Sequence, residues 1–277
     1  PENRVVADRF AILMGASHCE PLLFNTASEW KRDKMGEWDY INNKDGVNKV
    51  LKLRVDECAP FENVYTLALR GLHDRAMNAS NNMSDRKEML QEALMAQRQM
   101  LMDAIGKRAE DIPQAFTPYK EVLDVYDQGL ELPDDVTIIW PDDNYGYMKR
   151  LSSPKEQKRS GRSGVYYHSS YLGKPHDHLW MNTTSPTLMY EELRKAYDLT
   201  ADRIWLLNAG DIKSCEFAVD YFLTMAFDID SFNFERAANY RTEWLCGMLG
   251  NDYRNEYQDV INSFYKLAFA RKRSEER

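Results

Sequence analysis

The chain has 277 residues, 43% of them hydrophobic and 12% aromatic, enough apolar material for one core of ordinary domain size and part of another. Acidic residues outnumber basic ones, 44 to 36, for a formal charge of -8, and no Lys/Arg run is long enough to track a phosphate backbone, which argues against nucleic acid. No stretch reaches the ~18 to 20 consecutive apolar residues of a bilayer span, so no membrane partner is expected.

The four cysteines, Cys19, Cys58, Cys215 and Cys246, are scattered without a C-x-x-C pair or a dense disulfide framework, and leave the redox compartment open. The chain opens on Pro1 and a polar segment instead of a signal peptide, so the true N-terminus is expected upstream.

In chain order, short apolar or β-branched runs predict strands at Ala11 to Ala16, Val64 to Leu69, Gln114 to Pro118, Val136 to Trp140, Gly164 to Tyr167 and Ile204 to Leu207. Between the second and third, Ser84 can cap a helix to about Ile105 with Leu90, Leu94, Leu101 and Ile105 on one face, and Gly106 ends it. Ser185-Pro186 reads as N-cap and first helical residue, with Met189, Leu193, Ala196 and Tyr197 as a buried stripe. Asp211 can cap a further helix with Cys215, Val219, Phe222 and Ala226 on one face, and the polar Asp228 to Asn233 reads as a domain boundary. Two helices follow, one with Trp244, Leu245, Met248 and Leu249, the next with Val260, Ile261, Phe264 and Leu267.

Strands alternating with helices or with loops too long for hairpins predict an α/β fold with a parallel sheet. Six strands are too few to close an eight-stranded barrel, which leaves a barrel with strands missing upstream or an open, doubly wound sheet.

In parallel α/β architectures ligands bind at the carboxyl ends of the strands, and here those ends are polar. The first leads to Ser17-His18-Cys19-Glu20, the second to Arg70-Gly71-Leu72-His73-Asp74, and the third to Tyr119-Lys120-Glu121. The fourth leads to Trp140-Pro141-Asp142-Asp143-Asn144-Tyr145-Gly146-Tyr147; the fifth holds Tyr166, Tyr167 and His168 and runs on to Tyr171, His176, His178 and Trp180; the sixth ends in Asn208-Ala209-Gly210-Asp211. Carboxylates, histidines, an arginine, amides and aromatic rings on one face suit a sugar, whose ring stacks on aromatics and whose hydroxyls take polar groups. Glycoside hydrolysis needs two carboxyl groups, for which Asp74, Glu121, Asp142 and Asp143 are the candidates. A uronate carboxylate would need a cationic partner, a role open to Arg70 unless it serves a neighbouring Asp.

Each residue also has an ordinary alternative. His18 and His73 can be hydrogen-bonded structural histidines, Asp142, Asp143 and Asn144 can be turn residues before Gly146, and Arg70 can simply pair with Asp74. Glu121 can decorate a helix start, and Tyr166, Tyr167 and Trp180 can be packing.

Taken together, His18-Cys19-Glu20-Pro21, Arg70-Gly71-Leu72-His73-Asp74, Pro118-Tyr119-Lys120-Glu121-Val122, Trp140 to Tyr147, Gly164-Val165-Tyr166-Tyr167-His168, Trp180-Met181-Asn182-Thr183-Thr184 and Asn208 to Lys213 resemble glycoside hydrolase family 115 in order and spacing. The resemblance implies a multidomain α-glucuronidase releasing (4-O-methyl)-glucuronic acid from xylan or a related plant polysaccharide by inversion. It implies a (β/α)8 TIM-type barrel, incomplete in this chain because the first strands are missing, over residues 1–230, followed by the start of a helical domain over 231–277.

The same resemblance implies Asp74, Glu121 and Asn144 as the catalytic group, with Asp74 and Glu121 as acid and base and Asn144 on a sugar hydroxyl. His18, Arg70, His73, Trp140, Asp143, Tyr166, His168 and Asn208 are the expected substrate contacts, Arg70 and Tyr166 holding the uronate, and all are expected to share one cavity at a barrel mouth. No cofactor or metal is expected; a secreted or periplasmic location and a homodimer of the full-length protein are. Two rival readings stay open: a metal-dependent barrel hydrolase using His18, His73, Asp74 and His168, and a catalytically idle carbohydrate-binding protein.

Overall fold

In a computed structural model the described residues are 2–78, 82–169 and 182–275. Five strands, β1 (Tyr65–Thr66), β2 (Gln114–Phe116), β3 (Thr137–Pro141), β4 (Ser163–His168) and β5 (Ala201–Asn208), form a sheet in the order β1-β2-β3-β4-β5. The registered pairs are parallel, with Tyr65 opposite Gln114, Ala115 opposite Thr137 and Tyr166 opposite Leu206. The helices are α1 (Glu2–Arg9), α2 (Thr26–Glu29), α3 (Arg32–Met35), α4 (Lys44–Cys58), α5 (Met83–Ile105), α6 (Glu121–Asp127), α7 (Pro186–Asp198), α8 (Ile212–Phe227), α9 (Phe234–Leu249) and α10 (Arg254–Glu275). The α/β class and the parallel sheet are therefore as the alternation of runs predicts.

The first predicted strand is corrected. Ala11 to Ala16 holds only a single parallel bridge, Met14 to Asn63, with Val64 N–H donating to Met14 at 2.8 Å and Thr66 Oγ1 to the Ala16 carbonyl at 2.7 Å. Its Ile12 and Leu13 are exposed, so the run lacks the burial that a central strand needs. The second run is shortened for a local reason. Beyond Leu67, which donates to Ala115, both backbone groups of Ala68 are taken by the fully buried amide of Gln97, at 3.0 Å to its N–H and 2.6 Å to its carbonyl. A side chain from α5 thus replaces a neighbouring strand and releases the chain into the loop that starts at Arg70.

The chain divides into two compact units, residues 1–139 with 158–162, and residues 140–157 with 163–277. In the first, Val47, Leu51, Val55 and Cys58 of α4 recur at helical spacing and are buried, as are Leu90, Ala93, Leu94 and Leu101 of α5. The cap of α5 is Asn82, whose side chain accepts from Ser84 N–H at 3.0 Å, two residues earlier than predicted; Gly106 ends the helix in the left-handed conformation as expected.

In the second unit, Val165 and Tyr167 of β4 share a core with Met189, Tyr190 and Leu193 of α7, Tyr221, Phe222 and Met225 of α8, and Ala237 of α9. Ser185 caps α7 as predicted, accepting from Leu188 N–H at 3.2 Å. The buried stripe of α8 is turned from the predicted one: Cys215, Ala218, Phe222 and Met225 are buried while Ala226 is exposed. No helix among the described residues is long and apolar enough to cross a membrane.

Candidate active site

In the first unit the centre of the polar cluster is Arg70. Its backbone is fixed where the β1 run ends, because Trp38 Nε1 donates to the Arg70 carbonyl at 2.6 Å. Its side chain is 2% exposed, and its guanidinium faces two carboxylates: Nη1 donates to Asp74 Oδ1, Nη2 to Glu121 Oε2 at 2.9 Å and Nε to Glu121 Oε1 at 3.3 Å. The fork on Glu121 is the bidentate pairing that a planar guanidinium favours. Asp74 keeps 35% and Glu121 18% of its side-chain surface open, so a buried cation presents two partly accessible anions.

Local backbone explains how the loop brings Arg70 and Asp74 together. Gly71 N–H donates to the Arg75 carbonyl at 2.9 Å, and a Cβ on Gly71 would meet the Ala76 carbonyl oxygen at 2.5 Å, so only glycine fits this turn. Asp74 itself has φ 62 and Lys120, just before Glu121, has φ 52, both in the left-handed region that non-glycine residues rarely occupy. Such conformations cost of order 1 to 3 kcal/mol each and persist where surrounding contacts hold them, here at both carboxylates.

His18 is buried beside this pair. Its Nε2 lies 2.9 Å from Asp74 Oδ1 and its Nδ1 3.2 Å from Ser17 Oγ, and its ring leans on Tyr119 with centroids 4.4 Å apart. Tyr119 also lies under Arg70, whose guanidinium carbon is 5.6 Å from the ring centroid. Next to His18, burial pushes the Cys19 thiol above its ordinary range, a Ser17 hydrogen bond and the Arg70 charge oppose the rise, and Glu20 adds to it. The backbone of His73 lies in the short turn Leu72–Asp74; its side chain is outside what the structure describes.

The second unit carries its own cluster where β3, β4 and β5 end. Asp142, 1% exposed, accepts from His168 Nδ1 at 2.6 Å, from His168 N–H at 3.0 Å and from Asn144 N–H at 3.1 Å. The Asp142 carboxylate, by taking Nδ1, fixes the orientation of the His168 ring. Tyr166 stands against His168 with centroids 4.5 Å apart, and Asn208 Nδ2 donates to the Tyr166 hydroxyl at 2.9 Å.

Asp143 organises the turn, its Oδ1 accepting from Tyr145 and Tyr147 N–H at 2.8 and 3.0 Å, and Asn144 has φ 73. Gly146 closes the turn at φ 97, where a Cβ would lie 2.8 Å from the Tyr167 hydroxyl. Trp140 is fully buried, its Nε1 donating to Ser152 Oγ at 2.9 Å and its ring 4.4 Å from the Arg150 guanidinium carbon.

Of the residues picked from sequence, the structure therefore groups His18, Arg70, Asp74 and Glu121 in one unit, and Asp143, Asn144, Tyr166, His168 and Asn208 in the other. Tyr171, His176, His178 and Trp180 lie outside the described residues. Sequence reasoning takes Asp142 as a candidate carboxylate or a turn residue and Tyr119 as part of a strand-end run, and misses that Asp142 holds His168 and that Tyr119 packs against His18 and Arg70. Asp142 follows the apolar run of β3 as His168 closes β4, and strand-end positions on adjacent parallel strands were the available signal.

These features define a parallel α/β protein that carries Arg70, Glu121, Asp142 and His168 at or just beyond the carboxyl ends of strands, where α/β enzymes build their sites. Comparison with known proteins gives the family: the chain matches Glycosyl hydrolase family 115 over residues 1–275 and belongs to it. One solved structure is described as a novel family GH115 4-O-methyl-alpha-glucuronidase with specificity for decorated arabinogalactans. It is 42% identical to this chain with a TM-score of 0.91, the match covering 96% of this chain and 35% of that one. The chain thus spans about a third of the length of the structure it matches. No curated protein matches it.

Proposed function

We propose that this chain is the acid–base part of a glycoside hydrolase that releases α-linked (4-O-methyl)-glucuronic acid side groups from plant polysaccharide, by inversion. Family membership supports the reaction class, and the described specificity of the matched glucuronidase supports both the sugar and a decorated arabinogalactan as one carrier to test beside glucuronoxylan. The observation that carries the reading is the buried Arg70 with Asp74 and Glu121 on its two sides, both carboxylates partly open.

In this reading Asp74 and Glu121 divide the acid and base work: one gives a proton to the leaving oxygen and the other takes one from the attacking water. Arg70 has its Nε, Nη1 and Nη2 committed to those carboxylates, so it acts as a positioning residue and its part in holding the uronate is secondary. His18 orients Asp74. Tyr166, His168 and Asn208 contact the sugar through hydroxyl, ring nitrogen and amide, and Asn144, in its strained turn, contacts a hydroxyl. Trp140 supports its loop from beneath.

The five parallel strands are proposed as part of a (β/α)8 barrel completed by the rest of a longer protein, with residues 231–277 beginning a helical domain. The 35% coverage of the matched structure is consistent with that. A secreted or periplasmic location and a homodimer of the whole protein belong to the same proposal.

The test is incubation of the full-length protein with glucuronoxylan and with glucuronate-decorated arabinogalactan, followed by proton NMR of the first product formed. Free sugar acid appearing first as the β-anomer from an α-linked donor is expected; absence of any released acid from both, or retention of configuration, contradicts the reading.

A further inference from the structure

One ring nitrogen of His18, the thiol sulfur of Cys19 and a carboxylate oxygen of Asp74 all lie within 4.8 Å of one another. We propose that these three groups form a site for a soft divalent cation of the zinc class, and that the bound cation withdraws Asp74 from the reaction. Binding stands on the geometry alone, whereas the inhibitory consequence rests on the hydrolase reading above.

The donor set suits such an ion. Imidazole, thiolate and carboxylate are each zinc ligands, and three protein ligands with water in the fourth position is a common open arrangement. Tetrahedral bonds of about 2.0 to 2.3 Å place ligand atoms roughly 3.3 to 3.8 Å apart, so the cluster must contract by about 1 Å at its widest. His18 Nε2 and Asp74 Oδ1 are already 2.9 Å apart, and Cys19 and Asp74 are half-buried loop residues able to supply the movement. Coordination sends the thiol proton to solvent. When His18 turns Nε2 to the metal, its ring proton resides on Nδ1, where Ser17 Oγ at 3.2 Å accepts it and fixes the tautomer.

Arg70 is the obstacle to a cation here, since its Nη1 meets Asp74 and lies 3.4 Å from His18 Nε2. Charge counting removes it: one guanidinium faces two carboxylates, and Glu121 alone balances it through two contacts. Asp74 is then the anion in excess, and Glu20 adds a further negative charge next to Cys19. A cation that captures Asp74 leaves Arg70 paired with Glu121, so no buried charge is stranded.

The probe is Co2+ added to the tag-free, metal-free full chain, read by absorption, with Zn2+ used for calorimetry. Wild type is expected to develop a thiolate-to-cobalt charge-transfer band at one equivalent, which Zn2+ removes. Cys19→Ser, which preserves size, is expected to lose that band and to weaken zinc binding by more than about tenfold, the least that even a supporting partner contributes to a metal site. Zinc is expected to suppress sugar-acid release in wild type, reversibly with a chelator, and to leave Cys19→Ser turning over at its basal rate. No cobalt–thiolate band in wild type, or a band that Cys19→Ser keeps, overturns the site. A band with turnover unaffected by zinc overturns the inhibitory role, and a band in a protein that releases no sugar acid upholds the site while the hydrolase reading fails.

Discussion

Replacing Arg70 by Met keeps the apolar stem of the side chain but removes the guanidinium and its charge. The guanidinium makes two contacts to Glu121, at 2.9 and 3.3 Å, and one to Asp74. A unit charge pair about 4 Å apart is worth roughly 4 kcal/mol at an effective dielectric constant near 20, and removing one partner of a buried pair costs about 3 to 5 kcal/mol because the other charge is stranded. Glu121 is the less exposed partner and carries most of that cost; Asp74, 35% open, is rescued in part by water, which puts the expected loss near the lower figure, about 3 kcal/mol. The assay is urea unfolding of wild type, Arg70→Met, Glu121→Gln and the double variant, all without substrate. A coupling energy of at least about 1 kcal/mol is expected between the two sites, within the usual range for residues in one charge network. Additive effects, or an Arg70→Met protein as stable as wild type, would refute the reasoning, because a guanidinium held in reserve for a substrate anion contributes nothing to the free protein.

Gly71→Ala places a methyl group 2.5 Å from the Ala76 carbonyl, so the loop must move and carry Asp74 away from Arg70; a loss of about 1 to 3 kcal/mol and a fall in turnover of more than about tenfold are expected, and unchanged kinetics would show that the loop tolerates the shift. Asp142→Ala removes the acceptor of three donors, two of them on His168, and is expected to lower stability by about 3 kcal/mol or more in thermal unfolding, whereas a loss below about 1 kcal/mol would mean that water reaches the site. At Asp39 burial alone would raise the carboxyl, but hydrogen bonds from Asn42, the Ile41 and Asn42 backbone and Asn78 outweigh it and hold it below the usual carboxylate range. A depressed folded value means that this stabilisation is complete above about pH 4 and is lost as pH falls through the folded value, so Asp39→Asn should flatten the acid limb of stability below about pH 4, and an unaltered limb would contradict the assignment.

Much of this was legible in the sequence for identifiable reasons. Strand ends could be found because Val136 to Trp140 and Gly164 to Tyr167 are apolar runs that terminate abruptly in polar residues, and burial on both sides of a parallel sheet demands such runs. Ser185-Pro186 and Gly106 signalled helix limits because capping is a local property. What sequence could not give depends on neighbours far along the chain. Ala11 to Ala16 has the composition of a strand but little burial, and the early end of β1 is set by Gln97, which arrives from a helix. The side of α8 that is buried follows the bodies it packs against, and Phe217 and Tyr221 displaced the face that spacing alone suggested. Arg70 could be read as a uronate ligand or as a partner for Asp74; only the position of Glu121, 51 residues away, commits it to organising two carboxylates. Asp142 could be read as a reacting carboxylate or as a turn residue, and only His168, 26 residues on, shows it as the acceptor that holds that ring.

Acid–base work by Asp74 and Glu121 is the claim on which the proposed function rests. Its most direct measurement is release of glucuronic acid from decorated oligosaccharide by Asp74→Asn and Glu121→Gln, each compared with wild type at matched thermal stability. Each substitution keeps the shape of the side chain and deletes its charge, so a loss of at least about 100-fold in kcat with KM little changed is expected from each, as removal of a general acid or base implies. Wild-type kcat in either variant would contradict the central claim.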